Sequence, residues 1–355
     1  MSKYKDLITD LNAKISGGYY KVGQRIPTED QLTKIYNVSR ITVKKALAEL
    51  SSKGAIARYP KKGTFVREIV PEAAPKKKII GCVLANLLGE MVHISHASEL
   101  ALALNNCYFT MRVSDTDAGR EAAMVGELVD SGVDGLLVYP VNSVENVDLY
   151  CNLLNRKFPV VFLDRSPMSC VCTCVTTDGT DISYRAVEYL VDHGHRNIAF
   201  IGYDDKITTV LYRLQGYISA MKSFHLPFAE KYHPGIRVYL EGDGGQFEDD
   251  VLSLLNLPDP PTAFYCVNDH CAMNLIRVLN KTGKTVPEDY SVIGHDDVES
   301  LSNFSFSLTT FRQPYEEIGQ KAANELLKLI YDPNATRRMI FLNSKLIERN
   351  SVKRI

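Results

Sequence analysis

Carboxylates, guanidiniums and side-chain amides gather where apolar runs end. Asp164-Arg165 closes PVVFLD, Asn268-Asp269 follows TAFYCV, and His295-Asp296-Asp297 closes YSVIGHD. Arg213 opens the helical stretch after NIAFIG. An aspartate accepts from vicinal hydroxyls and an arginine donates in a fixed fork, so this set suits a ligand dense in hydroxyls. Each residue alone is ordinary as a cap or a surface ion pair. Asp269 stands ahead of a helix, reads as its N-cap, and is set aside from the site.

A second chemistry sits near the start of the chain. In residues 26–66, Pro27 bars any earlier helix from continuing, and Thr28 with Gln31 has capping-box spacing. Leu32, Ile35 and Tyr36 fall on one face of that helix. Ser39 caps the next, in which Val43, Leu47 and Leu50 line the apolar face while Arg40, Thr42, Lys44 and Lys45 stay off it. Gly54 stops it, and two β-rich runs joined by Pro60-Lys61-Lys62-Gly63 form a wing. A helix pair whose second member is basic fits a DNA major groove.

Charge is divided to match. The net charge is −1, yet residues 1–78 carry 17 Lys and Arg against 7 Asp and Glu, and the remainder 24 against 35. A basic head on an acidic body implies one part for a polyanion and another for a different ligand. No apolar signal segment and no run of transmembrane length is visible, so a cytoplasmic protein with no membrane partner is expected. Its eight cysteines are then expected as reduced thiols. Cys170, Cys172 and Cys174 alternate as on one side of a strand. No zinc spacing accompanies them, and neither a metal nor a cofactor is expected.

These sites need positioning elements. Tyr4, Leu7, Ile8, Leu11 and Ile15 predict a first helix ended by Gly17-Gly18. The expected division is a head over 1–67, a linker over 68–78 with Pro71 and Pro75, and a body over 79–355. From Ile79 on, apolar strands alternate with amphipathic helices. The strands are 79–85, 107–113, 135–140, 159–164, 172–178, 197–202, 236–240, 262–267 and 290–296. That alternation predicts βαβ units in parallel sheets, with ligands at the carboxyl ends of the strands. The run is too long for one sheet domain, so two lobes are expected.

The phrases IPTEDQL, NVSRITVKKAL and KKGTFV resemble the GntR family's winged helix-turn-helix. By that resemblance DNA contacts come from Ser39, Arg40, Thr42 and Lys44, with Lys62 and Gly63 at the wing. Asp30 replaces an arginine, and Lys61 a glycine, that many relatives carry. VVFLDR, VTTD, YLVDHGHRNIAFIG, RLQGY, AFYCVND, VPEDYSVIGHDD and LTTFRQPYEEIG resemble the lactose-repressor and periplasmic-binding-protein superfamily. The implied effector-binding residues are Asp164, Arg165, Arg213, Asn268, Asp296 and Gln313. Leu87, Leu88 and Met91 stand where the family has stacking aromatics, and His295 where an aromatic is usual. The implied fold is α/β: a winged helix-turn-helix plus a two-lobed, doubly wound parallel-sheet body. The combination is arabinose-repressor-like.

The implied function is a homodimeric repressor that binds operator DNA and releases it on binding a monosaccharide such as L-arabinose. Two alternatives remain open: a sugar-converting enzyme with a nucleic-acid tether, and a regulator using a non-sugar ligand or corepressor. No GxxxxGK[ST], HExxH or sheet-borne GxSxG supports catalysis. A transport protein is opposed by the basic head.

Overall fold

The computed structural model describes residues 3–60, 62–67, 77–202, 206–226, 245–298 and 307–355. The chain divides into two compact units, Met1–Lys76 and Lys77–Ile355.

The first unit holds α1 (Lys3–Ser16), α2 (Glu29–Tyr36), α3 (Arg40–Ser52), β1 (Ile56–Tyr59) and β2 (Gly63–Val66). The capping box forms as expected: Thr28 accepts from the Gln31 amide, and the Gln31 side chain accepts from the Thr28 amide at 2.9 Å. Asn37 ends α2 in the left-handed region, and Ser39 caps α3 by accepting from the Thr42 amide at 3.2 Å. Leu7, Leu11, Ile15, Leu32, Val43, Leu47 and Leu50 make the core with Ile56 and Val66. Ile35 was expected beside Leu32 but is 59 % exposed. Leu32 and Tyr36, four residues apart, are the α2 side chains that pack on that core, and Ile35 lies beside them on the solvent side. β1 and β2 pair antiparallel. Gly63 has φ +118°, a conformation that favours glycine, and a Cβ there would also displace the Arg25 guanidinium.

The second unit is two-lobed. One lobe is a parallel six-stranded sheet in the order β12-β7-β6-β5-β3-β4. Its strands are β3 (Lys78–Leu84), β4 (Cys107–Val113), β5 (Gly135–Tyr139), β6 (Val160–Leu163), β7 (Thr173–Thr177) and β12 (Met339–Leu342). α4 (Gly89–Leu104) and α11 (Tyr315–Tyr331) pack on one face; α5 (Ala118–Asp130) and α6 (Val147–Asn155) supply core to the other. The other lobe is a parallel sheet, β10-β9-β8, of β8 (Ile198–Ile201), β9 (Ala263–Cys266) and β10 (Ser291–Ile293). α7 (Gly179–Asp192), α8 (Thr208–Ser223), α9 (Gln246–Leu255) and α10 (Asp269–Lys281) complete its core. β11 (Thr310–Arg312) and β13 (Lys345–Ile347) pair antiparallel. The central strands are buried on both faces, which explains their unbroken apolar runs. Each fully buried aliphatic side chain contributes about 1.5–3 kcal/mol.

The chain crosses between the lobes after β7, again between β11 and α11, and again between β12 and β13. The expected parallel sheets and two lobes are therefore present. β3 starts at Lys78, where the Lys78 ammonium holds Asp134 at 2.7 Å, one residue inside the stretch read as linker. Strand 236–240 and Lys61 lie outside the described residues.

The cysteine expectations need two corrections. Cys170 and Cys172 precede β7 rather than lying in it. Cys151 and Cys170 form a disulfide with Cα atoms 6.0 Å apart, so they are not two thiols. They are 19 residues apart, and only the packing of α6 beside the loop after β6 brings them together. The other six are buried free thiols.

Candidate functional site

Three of the sequence-predicted effector residues converge on one carboxylate. Asp296 lies just beyond β10, held by its amide to the Phe311 carbonyl at 2.8 Å, with φ +118°. That conformation is strained for a residue with a side chain, and such strain concentrates at functional sites. Gln313, just beyond β11, donates from Nε2 to Oδ1 of Asp296 at 2.6 Å. Arg213 reaches from α8 to within 3.6 Å of the same oxygen, and its Nη1 donates to the Val267 carbonyl at 2.6 Å. Thr177, at the end of β7 in the other lobe, donates to Oε1 of Gln313 at 2.9 Å. The chain of contacts thus runs from one lobe through a crossover segment to the other. Burial raises the Asp296 carboxyl well above the usual carboxylate range, against the opposing pull of the Arg213 charge.

Asp164 and Arg165 stand at the end of β6. Thr176 donates to Asp164 Oδ1 at 3.3 Å. Arg165 lies over the Tyr139 ring at 4.1 Å, bonds the Tyr139 hydroxyl, and donates to the Val141 carbonyl at 2.7 Å. The two clusters share electrostatic neighbours that sequence reasoning missed. The Glu90 carboxyl is pushed up by burial and then by the Asp164 charge, with His270 and Arg165 opposing. The Tyr315 hydroxyl is pushed up by burial and then by Asp296, Glu90 and Asp164. It donates to the Asp296 carbonyl at 3.0 Å. Tyr139, at the end of a predicted strand, was the one of these that strand-end logic could have flagged.

The cap of α10, expected of Asp269, falls to Asn268. Asn268 is the N-cap of α10: its backbone is extended and its Oδ1 accepts from the Cys271 amide at 2.8 Å. Asp269 is the first helical residue and fully buried. It accepts from the Thr310 hydroxyl at 2.6 Å and the Val298 amide at 3.1 Å, and its own amide donates to the His295 carbonyl at 2.8 Å. Gly294 packs so close that a Cβ there would meet the Asp269 carboxylate. Asp269 thus clamps the loop that presents Asp296. Burial lifts its carboxyl to about 7.

Met91 is buried in the core of its lobe and forms no wall, whereas Leu87 and Leu88 are exposed. His295 is fully buried against Phe311, with ring centroids 6.3 Å apart. Burial and the Arg213 charge hold its imidazole well below its ordinary value, so it is neutral and its 3.7 Å approach to Asp296 is no ion pair. Asp297 is tied to Arg312 at 2.6 Å and Arg349 at 2.7 Å.

In the first unit, Arg40 and Lys44 are exposed on α3. Arg40 Nε stands 3.7 Å from both Glu29 and Asp30, contacts long and solvated enough to be worth little. The Ser39 and Thr42 hydroxyls bond each other at 2.8 Å, so the cap occupies both. Lys62 is exposed on the turn, its amide bonded to the Tyr59 carbonyl at 3.1 Å.

Comparison with known proteins fits both units. The family described as "Bacterial regulatory proteins, gntR family" matches residues 3–66, and the periplasmic binding protein-like domain matches 187–352. The arabinose metabolism transcriptional repressor of Geobacillus stearothermophilus is 29 % identical over 100 % of this chain and 99 % of its own. The HTH-type transcriptional repressor PurR of Aliivibrio salmonicida is 31 % identical over 71 % of this chain and 75 % of its own. A LacI-family transcriptional regulator from Enterococcus faecium, solved with bound ribose, superposes with a TM-score of 0.64 at 26 % identity, covering 78 % of this chain and 100 % of that one. Among the described residues no helix is long and apolar enough to cross a membrane. The chain belongs to the HTH-type transcriptional repressors with a periplasmic binding protein-like body, and its own head is of the gntR family.

Proposed function

We propose that this protein represses carbohydrate-utilisation genes and leaves its operator when a monosaccharide binds between the lobes of its body. L-arabinose is the first candidate, because the relative that matches along the whole chain is an arabinose repressor. The observation that carries the reading is the Arg213–Asp296–Gln313 cluster, continued by Thr177 across the crossover. It offers a buried acceptor and fixed donors where both lobes contribute, so a polyhydroxylated ligand bonded there favours the closed form. Asp164, Arg165 and the Asn268 amide complete the set of ligand groups. Ser39, Arg40, Thr42, Lys44, Lys62 and Gly63 face the operator. Residues 68–78 tether the 1–67 head to the 79–355 body.

The working form is a cytoplasmic homodimer without catalytic turnover. Support for self-association comes from α4 and the sheet-edge strand β4, which leave Leu100, Leu104, Tyr108 and Met111 exposed. Leu100 and Leu104 lie one helical turn apart on the same side of α4, a pair that a second copy of the chain could cover. The test is a thermal-shift screen of neutral pentoses and hexoses, since a ligand that binds only the folded state raises the melting temperature by mass action. L-arabinose is expected to give a saturable rise. A screen in which no sugar moves the transition, while a purine or a hexuronate does, overturns the sugar assignment.

A further inference from the structure

The outer side of α3 carries a residue that charge does not explain. Ile41 is 78 % exposed on the first turn of the helix. Val43, Ala46, Leu47 and Leu50 bury the opposite side, so Ile41 has no place in the core. A lone exposed aliphatic is unremarkable by itself. The surroundings give this one meaning: Arg40, Lys44 and Lys45 are exposed about it, and although Glu29 and Asp30 stand 3.7 Å from Arg40, the two lysines leave the helix face net cationic, as a polyanion requires. Residues at i+3 and i+4 are surface neighbours on a helix, so Lys44 and Lys45 flank Ile41 directly. A β-branched side chain is also stiff, and loses little freedom when it docks.

The major groove presents one apolar group, the 5-methyl of thymine. We propose that Ile41 is a specificity-determining residue that packs against a thymine 5-methyl in each operator half-site, beside the base met by Arg40. The inference rests on the reading that the first turn of α3 enters the major groove. Consecutive helix residues advance 1.5 Å along the axis and diverge by roughly 100°, so Arg40 and Ile41 address neighbouring base steps and not the same one. Ile41 would then exclude cytosine at its position, which lacks the methyl and presents an amine that an aliphatic side chain leaves without a partner.

The test uses the full chain and an operator duplex selected from random sequence. Each thymine is replaced in turn by uracil, which pairs identically but lacks the methyl. For the unaltered protein, one thymine per half-site is expected to be sensitive, with about a fourfold loss for each buried methyl. Ile41→Ala should bind the parent operator more weakly, lose sensitivity at that thymine alone, and keep its affinity for random duplex. If no uracil replacement weakens the unaltered protein, or if every replacement costs Ile41→Ala as much, the inference is overturned. Arg40→Ala, run beside it, separates the two levels. Loss of operator preference in Arg40→Ala with no effect of Ile41→Ala removes this inference and keeps α3 in the groove. No effect of either removes both.

Discussion

Gln313 donates its side-chain amide to Asp296 across 2.6 Å, and both residues sit where strands end. Oδ1 of Asp296 therefore already has a donor, with Arg213 3.6 Å away. A bound sugar would take the remaining acceptor capacity of the carboxylate. Asp296→Ala is expected to weaken effector binding by about tenfold or more, because it removes buried hydrogen bonds of about 0.5–1.5 kcal/mol each and leaves ligand hydroxyls without a partner, and each 1.4 kcal/mol is a decade. Operator affinity without sugar should be unchanged. The check is an operator gel-shift titration with and without sugar, alongside a melting curve. A well-folded variant that still releases DNA at the wild-type sugar concentration would refute the assignment.

Arg40 and Lys62 should separate base reading from backbone contact. Arg40→Ala should cost roughly 1–3 kcal/mol on operator and much less on random DNA. Lys62→Ala should weaken both alike and reduce the slope of log affinity against log salt by about one. Anisotropy titrations at several salt concentrations read both effects. Equal losses on the two DNAs for Arg40→Ala would make it a phosphate contact.

Asp269 gives the body a pH dependence of unusual sign. Burial raises its carboxyl to about 7 in the fold from an ordinary value of about 3.8, so the native form binds the proton more tightly. Its contribution is full below about pH 4 and is lost as pH rises through about 7. Stability from this group therefore falls with rising pH, by an amount on the order of a few kcal/mol across that window. Asp269→Asn removes the titration. The melting temperature of the wild type relative to Asp269→Asn should climb as pH falls from 8 to 5. A difference that stays flat would show that Asp269 does not titrate in this range.

The Cys151–Cys170 disulfide closes a short loop, and a cross-link of this span stabilises by about 3 kcal/mol in the chain-entropy treatment. Reduction of the pair should lower the melting temperature of the oxidised protein. Cys151→Ser should melt like the reduced form and be insensitive to reductant. Equal melting of oxidised and reduced wild type would contradict the bridge.

Much of this was legible in the sequence because local chemistry carried it. Thr28, Gln31 and Ser39 announced caps that form, and the apolar runs announced strands buried on both faces. Asp296 could be named because strand ends mark a parallel-sheet cleft, whereas Arg213, expected to open its helix, lies in the second turn of α8. The misses share a cause, which is dependence on distant packing. Asn268 and Asp269 are adjacent and both able to cap. Only the position of Thr310 and Val298 decides that Asp269 turns inward. Glu90 and Tyr315 stand at the starts of α4 and α11, in stretches the family resemblance already tied to the ligand, but nothing local in their type or spacing separates them from ordinary helix-surface residues. Met91 and Leu88 differ by one helical turn, yet one is core and the other is exposed. The disulfide joins residues whose spacing follows no pattern.

The central claim is that sugar and operator exclude one another on this chain, and the most direct measurement is operator affinity of the full-length protein at rising L-arabinose concentration. The expected result is an affinity that falls to a plateau. By linkage, operator DNA should weaken sugar binding by the same factor. An operator affinity unchanged or raised at sugar concentrations that saturate the body, as judged by thermal shift, would contradict release by the effector.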